Sequence, residues 1–180
     1  MLFKSCPGVN FEPEVEICPD CQAPLNVYKT KFRKIFTMHI GGLDVKETLL
    51  KCNRCSNSVI YTSEELHNLV PEGSNYGYDV MTYIGETMFS NHKQAGEIQA
   101  LLQAQNIPIS VSEVEHLGQR FVTYLSVTHE QNSTGIVEIM DENGGYMLHL
   151  DALGGTTGGE RLISGLDGIS DIVLGNAKIK

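Results

Sequence analysis

Two pairs of cysteines constrain the fold of this chain more than any other feature of its sequence. Each pair encloses two residues, and thirty residues separate the pairs. This spacing lets two thiolates face one point, so that two such knuckles at the base of a hairpin present four sulfurs in a tetrahedron. Zn²⁺ accepts this set in closed structural sites, which predicts a structural zinc ion on four ligands: Cys18, Cys21, Cys52 and Cys55. Cys6 is left over, and we expect it to behave as a small apolar side chain.

The residues between the cysteine pairs are predicted to form a β-hairpin. Residues 33–40 alternate and are rich in strand formers, Gly41-Gly42 supplies a turn, and residues 43–51 return to the second pair. A short strand is predicted at 57–61, followed by a helix that the capping box Thr62-x-x-Glu65 opens. Residues 71–77, rich in proline, glycine and serine, are interpreted as a linker.

Residues 78–143 carry apolar side chains at helical spacing. In the segment 105–110, Pro108 stops one helix and Ser110-x-x-Glu113 caps the next, which gives a helix, a short turn and a helix. A fourth helix is predicted at about 134–142. In a DNA-binding helix-turn-helix, the second helix places its N-terminal residues in the major groove. The exposed residues there would be Ser112, Glu113, Glu115, His116, Gln119 and Arg120, of which the uncharged and basic members are the predicted DNA contacts. The alternative is an ordinary three-helix packing unit with a polar face.

Residues 144–180 return to strand periodicity. One strand is predicted over 146–151, ending at Asp151, and two more over 161–166 and 169–174, joined by Asp167-Gly168. The fold class is therefore α+β and multidomain. It comprises a small zinc ribbon in residues 1–70, a helical helix-turn-helix domain in 71–143, and a three-stranded antiparallel meander in 144–180.

Charge limits the ways in which this chain can meet nucleic acid. The net charge of −9 argues against coating DNA by charge alone, but residues 1–60 hold eight basic side chains against six acidic ones. Four hairpin residues are predicted to contact phosphates: Lys29, Lys31, Arg33 and Lys34. The alternative is that these charged side chains only face solvent. No run approaches the roughly 18 apolar residues of a membrane span, and no secretory signal is evident, so a cytoplasmic, nucleoid-associated location is expected.

The order of these parts resembles the N-terminal portion of a prokaryotic insertion-sequence transposase of the DDE type. The resemblance extends from Cys18 to Asn176 and rests most on the pattern Glu97-Ile98…Ile109-Ser110…Val114 and on the strand ending His149-Leu150-Asp151. It implies that the meander begins a ribonuclease-H-like domain in which Asp151 is the first acidic residue. Mg²⁺ or Mn²⁺ would bind there only if another chain completes the catalytic domain. The sequence ends at Lys180, before the family's second and third acidic residues, so we expect no catalysis by this chain alone.

These observations predict a zinc-containing, transposase-derived DNA-binding protein that recognises transposon ends. Two alternatives stay open. The first is a protein-interaction or regulatory module that pairs with a full transposase, or with a second copy, through an exposed sheet edge. The second is a metal-dependent DNA strand transferase that acts as an assembled or split enzyme.

Overall fold

A computed structural model of the chain describes residues 6–55, 59–153, 161–170 and 172–179. These residues form a mixed α+β structure with two sheets and five α-helices. The chain divides into two compact units, Met1–Thr123 and Tyr124–Lys180, which are described separately below.

A mixed sheet forms the first part of the first unit. Its strands are β1 (Gly8–Phe11), β2 (Asn26–Thr37), β3 (Gly41–Lys51) and β4 (Ile60–Tyr61). Strand β3 is central: β1 pairs with it in parallel, and β2 and β4 pair with it antiparallel.

The predicted hairpin is confirmed as β2 and β3, but its limits differ from the prediction. Strand β2 begins at Asn26 rather than at residue 33, and Thr37 pairs directly with Gly41. The turn is therefore residues 38–40, and Gly41-Gly42 open β3 instead of forming the turn. Gly41 has a φ of +89°, which is the left-handed conformation expected directly after a three-residue hairpin loop.

Helix α1 (Glu64–Leu69) covers one face of this sheet. The shared core contains Phe11, Ile35, Leu43, Val45, Leu66 and Val70. The cap of α1 is Ser63 and not Thr62, because the Ser63 hydroxyl accepts a hydrogen bond from the Leu66 amide. The Glu14 carboxylate also accepts from the first turn, and these bonds, led by the Glu64 amide, lower the pKa of Glu14 to about 2. This carboxylate therefore ties the N-terminal segment to α1.

The segment interpreted as a linker is instead fixed to the sheet. The Phe36 amide donates to the Asn75 carbonyl, and the Gly77 amide donates to the Phe36 carbonyl, both at 2.8 Å. The Asp79 carboxylate accepts from two amides of the β2–β3 turn at 2.8 and 3.3 Å. These hydrogen bonds join the hairpin to the helices that follow.

The helical part of the first unit matches the predicted periodicity. Helix α2 (Tyr78–Gly85) continues into one π-helical turn (Glu86–Ser90), and α3 (Ala95–Ala104) follows. Helix α4 (Val111–Gln131) begins in the first unit, and its residues 124–131 belong to the second. Their common core consists of Val80, Met81, Ile84, Ile98, Leu102, Ile107, Ile109, Val114 and Leu117. Among the described residues, none of the helices combines the length and the apolar character needed to cross a bilayer.

The second unit contains α5 (Ser133–Glu142) and a three-stranded sheet. Strands β5 (Leu148–Leu153), β6 (Arg161–Asp167) and β7 (Val173–Ile179) pair antiparallel in that order, so the predicted meander is confirmed. Strand β5 does not end at Asp151, because pairing with β6 continues to Leu153. Strand β7 starts at Val173 rather than at residue 169, because residues 168–170 form the turn.

The turn between β6 and β7 is organised by Asp167, as the sequence predicted. This fully buried carboxylate accepts from the amides of Met147, Ile169 and Ser170 and from the Ser170 hydroxyl. The Ser170 hydroxyl is the largest cause, and together these donors lower the pKa of Asp167 to about 2. The carboxylate therefore stays ionised while it holds the turn and the start of β5.

Candidate metal centre and nucleic-acid interface

The four predicted cysteines meet at the end of the β2–β3 hairpin opposite its turn. The Sγ atoms of Cys18 and Cys55 lie 3.7 Å apart, those of Cys21 and Cys52 lie 3.6 Å apart, and all four fall within 4.8 Å of one another. A tetrahedron with metal–sulfur bonds of about 2.3 Å has edges of about 3.8 Å. The cluster could therefore hold a metal ion such as zinc.

Backbone amides prepare two of these sulfurs to act as ligands. The Cys52 Sγ accepts from the amides of Arg54 and Cys55 at 3.4 Å each, and these bonds lower the pKa of Cys52. Hydrogen bonds led by the Cys21 amide lower the pKa of Cys18 to about 6. Because the thiolate is the form that binds metal, this geometry favours metal binding at neutral pH.

Two other groups at the cluster have raised pKa values. Side-chain hydrogen bonds to the neighbouring sulfurs, first of all to Cys21, raise the pKa of Cys55. The Tyr61 hydroxyl lies 3.9 Å from the Cys18 Sγ, and burial is the main cause that raises the pKa of Tyr61 to about 12. Tyr61 therefore keeps a proton to donate towards the sulfurs. The sequence predicted a strand there but not this contact, which depends on the pairing of Tyr61 with Leu50.

The basic residues of β2 do not form one surface, because alternate residues of a strand face opposite sides of the sheet. Lys29, Lys31 and Arg33 share the face that α1 covers near Ile35, whereas Lys34 lies on the opposite face. Lys29 and Lys31 are exposed. The predicted phosphate contacts are thus divided between two faces.

Arg33 is directed towards acceptors of its own unit. Its Nη1 donates to the Ser74 carbonyl at 2.7 Å, and its Nη2 lies 3.9 Å from the Glu47 carboxylate, which is 7% exposed. Lys34 pairs with Asp44 at 3.3 Å on the opposite face, where both side chains stay about half exposed. The charge of Arg33 therefore serves the structure of the hairpin more than its surface.

The predicted helix-turn-helix corresponds to α3 and α4, but its turn is longer than three or four residues. Six residues, 105–110, separate the helices, and Ile107 and Ile109 within them are buried in the common core. The predicted cap of α4 is confirmed, since the Ser110 hydroxyl accepts from the Glu113 amide at 3.2 Å. The Tyr76 hydroxyl donates to the Pro108 carbonyl at 2.7 Å and fixes the turn from outside.

Three of the predicted DNA contacts lie in one row on the outer face of α4. Ser112, His116 and Gln119 are exposed and spaced by four and three residues, which places them on one side of a helix. The opposite side is buried at Val114 and Leu117. The fourth predicted contact, Arg120, is half-buried and donates to the Glu72 carbonyl at 3.2 Å. Of the two acidic residues there, Glu115 is exposed and Glu113 is half-buried.

The remaining predicted site residue is Asp151. Its backbone pairs with Ser164 in the second unit, while its side chain lies outside the part of the structure that is described. The expectation that Asp151 binds Mg²⁺ or Mn²⁺ therefore stays a prediction. Comparisons of this chain with family models, with curated proteins and with solved structures give no match.

Proposed function

We propose that this chain is a zinc-containing, transposase-derived protein that binds DNA and recognises transposon ends, without catalysis by this chain alone. One observation carries the proposal: the exposed polar row of Ser112, His116 and Gln119 on a helix that a buried core and a fixed turn hold in place. Side chains of these types can hydrogen-bond to base edges in the major groove.

The cysteine cluster supports the same proposal from a different part of the unit. Four cysteine ligands leave no open position for a water molecule, so a zinc ion bound there would be structural rather than catalytic. Zn²⁺ is the metal of choice because thiolate sulfur at tetrahedral spacing favours it over Mg²⁺ or Ca²⁺. The metal would hold the hairpin that carries Lys29 and Lys31, whose exposed charges suit phosphate groups.

Glu115 is the feature of α4 that opposes DNA binding by charge. An exposed carboxylate repels phosphates, but in the major groove it can accept from the N4 amino group of cytosine. The proposal therefore predicts sequence-selective binding with modest general affinity, rather than strong binding to any duplex.

Fluorescence anisotropy with two labelled duplexes tests this proposal. One duplex carries the terminal inverted repeat of the encoding element, and the other has the same bases in shuffled order. The zinc-loaded chain should prefer the repeat. Gln119→Ala should reduce this preference by about 5- to 150-fold, corresponding to about 1–3 kcal/mol for one good base contact.

Gln131→Ala is the matched control, because Gln131 is an exposed glutamine twelve residues further along α4. It should leave the preference unchanged. Equal binding of both duplexes by the unaltered chain would contradict the proposal, and so would equal effects of the two glutamine substitutions.

A second candidate function, docking to another protein, is favoured by the second unit. Leu148 and Leu150 lie on one face of β5 and are 50% and 67% exposed, and α5 contributes no buried residue among those described. Within the described sheet, β5 and β7 are both edge strands, whose outer backbone groups can hydrogen-bond to a strand of another chain. A full transposase or a second copy of the chain would satisfy them.

Sedimentation velocity separates this candidate from DNA recognition. The chain alone, and the chain mixed with a full transposase, should sediment as complexes that Leu150→Lys weakens. Gln131→Ala serves as the control here too. A monomer in both samples would exclude protein docking without affecting the duplex-binding result.

A further inference from the structure

The sheet face opposite α1 displays an aromatic ring to solvent. Phe32, at 76% exposed, is the most exposed large apolar side chain among the described residues. A phenylalanine in the middle of a paired strand usually faces a core, and this one does not. Its ring is therefore available to a partner.

The neighbours of Phe32 on this face are defined by the strand register. Phe32 pairs with Lys46 on β3, and Lys46 pairs with Asn10 on β1, so the three side chains form one row across three strands. The next row on the same face is formed by Lys34, Asp44 and Gly8. Because Gly8 at the edge strand has no side chain, the second row leaves open space above β1.

These two rows line a shallow groove of about 510 Å³. Lys34 and Asp44 pair with each other, while Lys46 forms no ion pair with any residue that the structure describes. The groove thus joins an aromatic ring, an unpaired ammonium group and the polar side chain of Asn10. Its volume falls within the range of small-ligand sites, which is ample for one nucleotide.

We infer that this face binds single-stranded DNA, with one unpaired base stacked on Phe32 and the adjacent phosphate held by Lys46. An exposed aromatic ring beside cations on a sheet is the arrangement by which proteins bind single strands without reading sequence. A duplex does not offer the face of a base, because its bases are stacked on each other. A protein partner fits less well, since stable protein interfaces bury well over 1,000 Å² and have a larger apolar centre than one ring.

This surface is distinct from the outer face of α4, so the two DNA contacts can be tested separately. The chain contains no tryptophan, and Phe32→Trp therefore introduces a single fluorescent reporter at the stacking position. The probe is an oligothymidylate of about 12 nucleotides, within the site sizes of known single-strand binders. Stacking should quench the tryptophan emission. An abasic oligomer of equal length, which keeps the phosphates and lacks bases, should leave the emission unchanged.

Affinity measurements on substituted chains complete the test. Phe32→Ala should weaken binding of labelled oligothymidylate by at least about fivefold, because stacking of one base contributes about 1–3 kcal/mol. Lys46→Gln should reduce the slope of log K against log salt by about 0.7, the value for one phosphate contact on a single strand. Lys93→Gln is the control, since Lys93 is an exposed lysine of the same unit that belongs to neither proposed DNA-binding surface. Phe32→Ala should leave the preference for the repeat duplex unchanged.

Several outcomes would overturn the inference. These are absence of oligothymidylate binding, equal binding by Phe32→Ala and the unaltered chain, or quenching by the abasic oligomer. Equally tight binding of thymidine monophosphate would assign the groove to free nucleotides instead of a DNA strand. A change from dimer to monomer on Phe32→Ala, in sedimentation velocity without DNA, would assign it to a second copy of the chain.

Discussion

Replacing one cysteine of the proposed zinc site should unfold the cysteine end of the first unit and leave its helical core folded. Apart from cysteines, the cluster at this end contains, among the described residues, only the buried Ala23 and the partly buried Leu25. Burial of these two side chains contributes at most about 3 kcal/mol. Ordering the backbone of residues 17–25 costs about 9–18 kcal/mol, at about 1–2 kcal/mol for each residue. A structural zinc ion provides about 10–16 kcal/mol, which offsets this cost.

The perturbation is Cys52→Ser, and two measurements report its effect. Metal analysis should show one zinc per unaltered chain and clearly less after the substitution. Hydrogen exchange should become fast at the Cys18 and Gln22 amides, which bond within the first knuckle. The amides of α2 should stay protected because their core contains no cysteine.

Cys6→Ser is the matched control for this experiment. Cys6 is a free, half-buried cysteine outside the four-sulfur cluster, so its replacement should change neither zinc content nor exchange. Retention of a full zinc equivalent by Cys52→Ser would refute the assignment of the ligands. Slow exchange across residues 17–25 after chelation would refute the claim that the metal holds this segment folded.

Three further predictions concern the stability of the fold. A Cβ added at Gly85 would overlap the ring of Phe121, so Gly85→Ala should lower the free energy of unfolding by about 1–3 kcal/mol. Gly96→Ala, at an open position on the surface of α3, should raise the free energy of unfolding by about 0.5–1 kcal/mol. Equal midpoints of urea denaturation for the two glycine variants would contradict the close contact between Gly85 and Phe121. Asp79→Ala removes the acceptor of two turn amides and should lower the free energy of unfolding by about 1–3 kcal/mol in the same assay. An unchanged midpoint would show that these hydrogen bonds do not stabilise the fold. The depressed pKa of Asp167 stabilises the folded state above the ordinary aspartate range, and this contribution is lost as pH falls from about 4 to about 2. Asp167→Asn should therefore speed amide exchange in β6 at neutral pH, with a difference that shrinks towards pH 2; a constant difference would count against the linkage.

Features encoded by local periodicity could be predicted from the sequence. The cysteine spacing, the strand alternation of the hairpin and the apolar spacing of α2 to α4 each depend on residues close in the chain. Ser110 was predicted to cap α4 because its bond to Glu113 spans three residues. The meander of the second unit follows from turn residues between apolar runs.

Features that depend on contacts between distant segments were not predicted. The Glu14 carboxylate caps α1 across fifty residues, and the segment 71–77 is held by Phe36 rather than free. Neither bond leaves a local signal, because any carboxylate or carbonyl could make it. The division of the basic residues between two faces, in contrast, could be predicted from the sequence. Alternation of side chains along β2 separates Lys34 from Lys31 once the strand is assigned.

The acidity of the chain has a structural explanation that bears on DNA binding. Residues 1–123 contain 14 acidic and 10 basic side chains, which considered alone opposes contact with phosphates. Five of those carboxylates are directed at donors of the protein itself, either backbone amides or basic side chains: Glu14, Asp44, Glu47, Asp79 and Glu97. Their charge is partly neutralised by these donors. Asp44 lines the groove beside Phe32, where it pairs with Lys34. Net charge therefore overstates the repulsion that DNA would meet at the two proposed surfaces, the outer row of α4 and the groove of Phe32.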